Sequence, residues 1–245
     1  MLLTISVTGA PNSFDHSIFD AVLKKYVVNG KVNYKGLKQE PLFKDYLNQL
    51  EKADLTQLKT REEKIAFWIN AYNAYTLKLI LDNYPVKSIR DVTFLGNTIF
   101  GFVSGPWKKE FCKVGGKVYS LDYIEHEILR KELGEEKIHF AVNCASESCP
   151  ILRPEAYRGE RLKEQLNDQL QIFLSDTLKN QFKFEENTLY LSPIFDWYAN
   201  DFKKNGKALL DYLKPYLTQS QQKILESGTV EIKFMDYDWS LNEVK

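Results

Sequence analysis

The chain has 245 residues, 33 basic and 33 acidic side chains, a formal net charge of +0 and 44% hydrophobic content. This is enough apolar material for one sizeable core, and the charge balance supplies no field to gather a phosphate backbone or an anionic membrane. Nucleic acid is therefore excluded as an expected partner, and no apolar run approaches the roughly 18 residues that a transmembrane helix needs.

The opening MLLTISVTGA is apolar and ends in small residues but carries no base, so residues 1–12 read as a frayed extension or the remnant of an export signal. From 13 to 245 the pattern is that of one domain. Ser13 can cap a helix over 14–28, with Phe14, Ile18, Val22 and Leu23 on one face and Asn29-Gly30 as its stop. Val32 to Tyr34 is short and extended. Pro41 then opens a helix whose stripe is Leu42, Phe43, Tyr46, Leu47 and Leu50. Thr60, with Glu63 three residues on, caps a long helix that runs to Pro85 and is apolar on nearly every face, the pattern of a central buried element. Asn70 and Asn73 share one of its faces, where they either pin a neighbouring loop or orient site groups.

Residues 92–107, broken by Gly96, Gly101 and Gly105-Pro106, read as a packed loop. Strands at 111–114 and 117–120 flank Gly115-Gly116 in a hairpin, and Ser120 caps the helix SLDYIEHEILRKEL, stopped by Gly134. Alternation over 137–143 predicts a central strand. A helix over 159–178, a hairpin joining 182–184 to 189–191 across Glu186-Asn187, a helix opened by Ser192-Pro193, shorter helices at 207–213 and 219–227, and a last strand within 229–236 complete the chain. Helices and hairpins without a strict strand–helix rhythm predict α+β: a central buried helix packed with others around a small, mainly antiparallel sheet and hairpins.

Five segments, AFWINAYNA (66–74), SLDYIEHEILR (120–130), HFAVNCASESCP (139–150), LSPIFDWYANDF (191–202) and YDWSLN (237–242), together resemble domain of unknown function family 547. The resemblance implies a single α+β domain and names no activity. Its pattern calls for no cysteine at Cys112, which leaves that residue outside the expected site.

The stretch His139 to Pro150 concentrates the reactive chemistry, with one of three histidines and two of three cysteines. Candidate catalytic groups are Cys144, Cys149, His126, His139 and Asn143; candidate binding groups are Asn70, Asn73, Ser146, Ser148 and Glu125. The leading expectation is a domain that binds a small molecule, peptide or protein through a pocket at the NCASESCP loop, with the aromatics Trp197, Tyr198 and Trp239 as core or contact. In that reading Cys144 and Cys149 can close a disulfide clip if the protein is exported; in the cytoplasm they are free thiols or metal ligands. The alternative is a thiol-dependent hydrolase or acyl or peptidyl transferase, with Cys144 or Cys149 as nucleophile and His126 or His139 as base. A metal site of His126, His139, Cys144 and Cys149 has the right atoms but the wrong spacing. No cofactor motif occurs: Gly96 to Gly105 lacks a phosphate-loop ending.

Overall fold

The computed structural model describes residues 14–92, 105–203, 208–226 and 230–244. The N-terminal extension, the Ser13 cap, Gly96 and Gly101 lie outside them. Helix α1 (Ser17–Tyr26) begins three residues after Phe14, because the Asp15 carboxylate accepts hydrogen bonds from the Ser17 N–H at 2.8 Å and its hydroxyl at 2.9 Å. Beyond it Asn29 and Gly30, at φ of 50° and 77°, turn β1 (Val27–Val28) back onto β2 (Lys31–Val32). Consecutive positive φ values are what a two-residue hairpin turn requires. Asn33 caps the single turn α2 (Tyr34–Leu37), and α3 (Pro41–Glu51) follows with proline in its first turn.

Helix α4 (Arg61–Asn83) carries the expected capping box: Thr60 Oγ1 accepts from the Glu63 N–H at 3.1 Å, and the Glu63 carboxylate accepts from the Thr60 N–H at 2.9 Å. Its residues from Ile65 to Leu77 are all buried, so its polar side chains must find partners inside the protein. The hairpin β3 (Glu110–Val114) and β4 (Lys117–Ser120) turns at Gly115 and Gly116, both at positive φ, and leads straight into the next helix, where Ser120 Oγ accepts from the Tyr123 N–H. After α5 (Leu121–Tyr123) that helix widens into a π-helix over Ile124–Glu132, ended by Gly134 at φ 63°. The sequence pattern predicts an ordinary α-helix here. π-helices are rare, and the single-turn bulges in which they mostly occur are frequent at functional sites.

The strand expected over 137–143 is absent. Glu136–Phe140 is instead a 3-10 helix capped by Glu135, followed by a turn in which the Ala141 and Val142 N–H groups both reach Ile138 O. The alternation misled because every residue from Ile138 to Asn143 is buried, which leaves no wet face to define a period. Ile138 enters the main core around α4, and Phe140 enters a second cluster with Phe173, Phe195 and Phe202. The segment therefore joins two cores.

Helix α6 (Leu162–Ser175) is shorter than the expected 159–178, since residues 159–161 form a 3-10 turn. Strands β5 (Gln181–Lys183) and β6 (Thr188–Leu191) pair antiparallel; the Ser192-Pro193 start gives α7 (Ile194–Trp197) and then α8 (Ala199–Phe202). Helices α9 (Leu209–Leu213) and α10 (Gln219–Glu226) precede β7 (Glu231–Phe234); residues 207, 227 and 229 of the expected elements lie outside the described set. β7 runs parallel to β6, which the long crossover between them makes possible. The result is α+β, with α4 buried at the centre and, among the described residues, three small sheets. Among the described residues no helix is long and apolar enough to cross a membrane.

Candidate functional site

The NCASESCP loop is shaped by amides. Asn73 donates to Ala141 O at 3.0 Å and accepts from the Asn143 N–H at 2.8 Å, the role a neighbouring strand would otherwise fill. Asn143 in turn donates to Pro150 O and accepts from the Ala145 N–H, both at 2.8 Å, tying the two ends of the loop together. This holds Ala145 at φ 61°, a region that side chains with a Cβ avoid. The C-terminal segment lies across the same loop: Asn242 reaches Asn143, Ser148 Oγ accepts from the Asp238 N–H at 2.8 Å, and the Glu147 N–H reaches Ser240 O. Asn70 makes the same two-way clamp on the backbone of Tyr157. Both α4 asparagines thus pin loops, the structural half of the expectation.

A cavity of about 270 Å³ lies beside this loop, and all five sequence segments contribute to its lining. Tyr72 comes from α4; Asp122, Glu125 and His126 from α5 and the π-helix; His139, Cys144 and Cys149 from the turn and loop; Trp197 and Tyr198 from α7 and its end; Tyr237 and Trp239 from the C-terminal segment. Trp107 adds another ring. The indoles and Tyr237 pack on one another, with Tyr237 4.5 Å from Trp239 and 4.8 Å from Trp197 between ring centroids. Of the candidates named from sequence, Cys144, Cys149, His126, His139 and Glu125 line this cavity. Asn143, Ser146 and Ser148, with Cys149 again, line a second and more polar one of about 360 Å³.

Asp201 organises the charges. Its carboxylate accepts from His139 Nε2 at 2.7 Å and from Arg130 Nε at 2.6 Å, and these bonds hold its pKa well below the carboxylate range. Burial lowers the pKa of His139, against the raising effect of Asp201, and its other ring nitrogen is buried without a partner among the described residues. The His139 ring stacks on Tyr198 at 3.8 Å. Arg130 also donates to His126 Nδ1 at 2.9 Å; guanidinium can only donate, so Nδ1 accepts and the proton sits on Nε2, 3.6 Å from Asp122. Glu125 accepts from the Tyr198 hydroxyl at 2.6 Å and is also hydrogen-bonded to Tyr72. Desolvation, ahead of that carboxylate, pushes both phenols far above the ordinary tyrosine range, so they stay protonated donors.

Cys144 and Cys149 lie at disulfide distance, with Cα atoms 6.2 Å apart. Cys149 Sγ accepts from the Cys144 N–H at 2.9 Å and from Tyr237 OH at 3.3 Å; Cys144 Sγ lies 3.1 Å from Ser146 Oγ and 3.3 Å from Tyr237 OH. Among the described residues neither sulfur is hydrogen-bonded to an imidazole, and no group of three or more His, Cys, Asp or Glu side chains is placed to hold a metal ion. Cys112 is buried in the core and free, apart from the site. The sequence reading missed Tyr72, Asp122, Arg130, Asp201 and Tyr237. All five fall inside the quoted segments, so the segments themselves were the available signal; the residue types are too common to stand out.

Residues 55–174 match the model of a family described as "Protein of unknown function, DUF547". Across these residues the chain is similar to this family. The DUF547 match takes in α4, the π-helix and the NCASESCP loop, and stops before the segments that supply Trp197, Tyr198, Tyr237 and Trp239 to the cavity. Comparison with curated proteins gave no match, and comparison with solved structures gave none.

Proposed function

We propose that this protein binds a small ring-bearing ligand in the cavity beside the NCASESCP loop. The observation that carries the reading is convergence: five segments spread from residue 66 to residue 242 each give side chains to one hollow. Aromatic walls with a few fixed polar groups are the usual composition of a ligand site, and this cavity sits near the small end of the usual size range. Flat indole and phenol faces favour a ring lying against them, while Asp122 and Glu125 accept from hydroxyl or amine groups on its edge. Arg130, held by Asp201, donates to His126, whose Nε2 lies 3.6 Å from Asp122, so this acid is backed by a fixed side chain as a preorganised site requires.

The thiol-hydrolase alternative has less support. The sulfurs face each other, Ser146 and Tyr237, whereas His139 is engaged by Asp201 and His126 by Arg130. The test is thermal shift of the whole chain against a set of ring alcohols and ring amines, including glucose, myo-inositol, piperidine and indole. At least one should raise the melting temperature of the wild type, and Trp239→Ala should abolish that response. A flat profile across the set, or equal shifts in Trp239→Ala, overturns the proposal.

A further inference from the structure

We propose that Cys144 and Cys149 form a reversible two-electron redox pair that exchanges with low-molecular-weight thiols. This activity goes beyond ligand binding and stands without it. Both sulfurs line the cavity, but unequally: Cys144 is half-buried, and Cys149 is 4% exposed. An incoming thiolate therefore meets Cys144 first, and Cys149 is the leaving sulfur.

The hydrogen-bond donors are arranged for that division of labour. A disulfide sulfur is a weak acceptor and gains little from donors; a thiolate gains a great deal. Yet the Cys144 N–H points at Cys149 Sγ at 2.9 Å, and the Tyr237 hydroxyl, 3.3 Å from each sulfur, is free to turn its proton to Cys149 Sγ when that sulfur becomes the anion. Ser146 donates to the Tyr237 oxygen at 3.1 Å, which polarises that phenol further. Its own oxygen, 3.1 Å from Cys144 Sγ, can accept from the thiol that Cys144 becomes. In the reduced pair these contacts allow a relay from the Cys144 S–H through Ser146 and Tyr237 to a Cys149 thiolate.

The steps balance. A thiolate attacks Cys144 Sγ and forms a mixed disulfide; the Cys144–Cys149 bond breaks, and its electron pair leaves on Cys149. A second thiolate attacks the sulfur of the bound thiol, releasing the small disulfide and a Cys144 thiolate that takes a proton from water. Two thiols are oxidised and one protein disulfide is reduced. Reversal is favoured by the loop, because the Asn143 bonds to Pro150 and Ala145 fix its ends independently of the sulfurs and keep them adjacent after cleavage.

The experiment equilibrates the whole native chain in glutathione buffers of graded ratio, quenches with acid, alkylates with iodoacetamide and reads intact mass. The wild-type pair should titrate reversibly without unfolding. Tyr237→Phe, which keeps the ring packed against Trp197 and Trp239, should require roughly tenfold or more glutathione over glutathione disulfide to reach half reduction, given the usual strength of a hydrogen bond to a charged group; Ser146→Ala should shift the same way by less. Unchanged melting of the oxidised variants shows that their fold is intact. A pair that opens only in denaturant, or an equilibrium identical in wild type and Tyr237→Phe, overturns the proposal.

Discussion

Asn73→Ala isolates the contact on which the loop depends. The substitution leaves Ala141 O and the Asn143 N–H without their partners, and all three residues are at most 3% exposed. A buried backbone group stripped of its hydrogen bond costs about 1–3 kcal/mol. Two such groups give about 2–6 kcal/mol, and the space left by the missing amide admits one water that recovers part of this, so about 2–4 kcal/mol is expected. Urea unfolding by circular dichroism reads the loss as a lower midpoint. A second readout separates Asn73 from its neighbour on the same face: Asn73→Ala should also move the Trp239 indole N–H resonance, because the loop carries the C-terminal segment, whereas Asn70→Ala should destabilise to a similar degree and leave Trp239 in place. A loss under about 1 kcal/mol, or equal Trp239 shifts in both variants, would refute the assignment of Asn73 as the clamp of the NCASESCP loop.

Three further outcomes are expected. Burial pushes the pKa of His16 down to about 3 from the ordinary 6.5 and lowers that of His139, so the unfolded chain takes up protons first and stability falls as pH drops from 6.5 toward 3. For His16 alone the loss reaches at most about 4 kcal/mol at the bottom of that window, and His16→Gln should flatten the dependence of the urea midpoint between pH 7 and 4. A Cβ on Gly30, at φ 77°, would run into the side chain of Ile151, whereas one on Gly116, at φ 74°, meets nothing. Gly116→Ala should cost only the conformational strain of about 1–2 kcal/mol and Gly30→Ala clearly more, read as melting temperatures. Replacing both Cys144 and Cys149 with serine should cost about 2 kcal/mol in urea unfolding under oxidising conditions, the loop entropy of a five-residue separation, and nothing comparable when the wild type is reduced first.

Local chemistry was legible wherever it acted alone. Thr60 and Glu63 marked the start of α4, Pro41 that of α3, Gly115-Gly116 the hairpin, and Ser120 the cap before the π-helix, because each signal is completed within a few residues. What failed was set by distant partners. Residues 137–143 alternate like a strand, but their backbone groups are met by Asn73 and by a tight turn, and their side chains divide between two cores. Nothing in IEHEILRKE distinguishes a π-helix from an α-helix. The parallel pairing of β7 with β6 depends on a crossover whose path no local pattern encodes. At the site, the rarity of histidine and cysteine pointed to His126, His139, Cys144 and Cys149. Asp201 and Tyr237, which tie those residues together, arrive from elements 62 and 88 residues away from His139 and Cys149.

The account rests on one cavity assembled from five segments, and the indole N–H resonances of the four tryptophans test it most directly. Trp107, Trp197 and Trp239 line the cavity, while Trp68 is buried in the main core and packs against Phe67 and Tyr119. Titration with whichever ring compound raises the melting temperature should shift the three cavity indoles together and leave Trp68 unmoved. Uniform shifts of all four, or a response confined to one exposed indole, would contradict a common binding hollow.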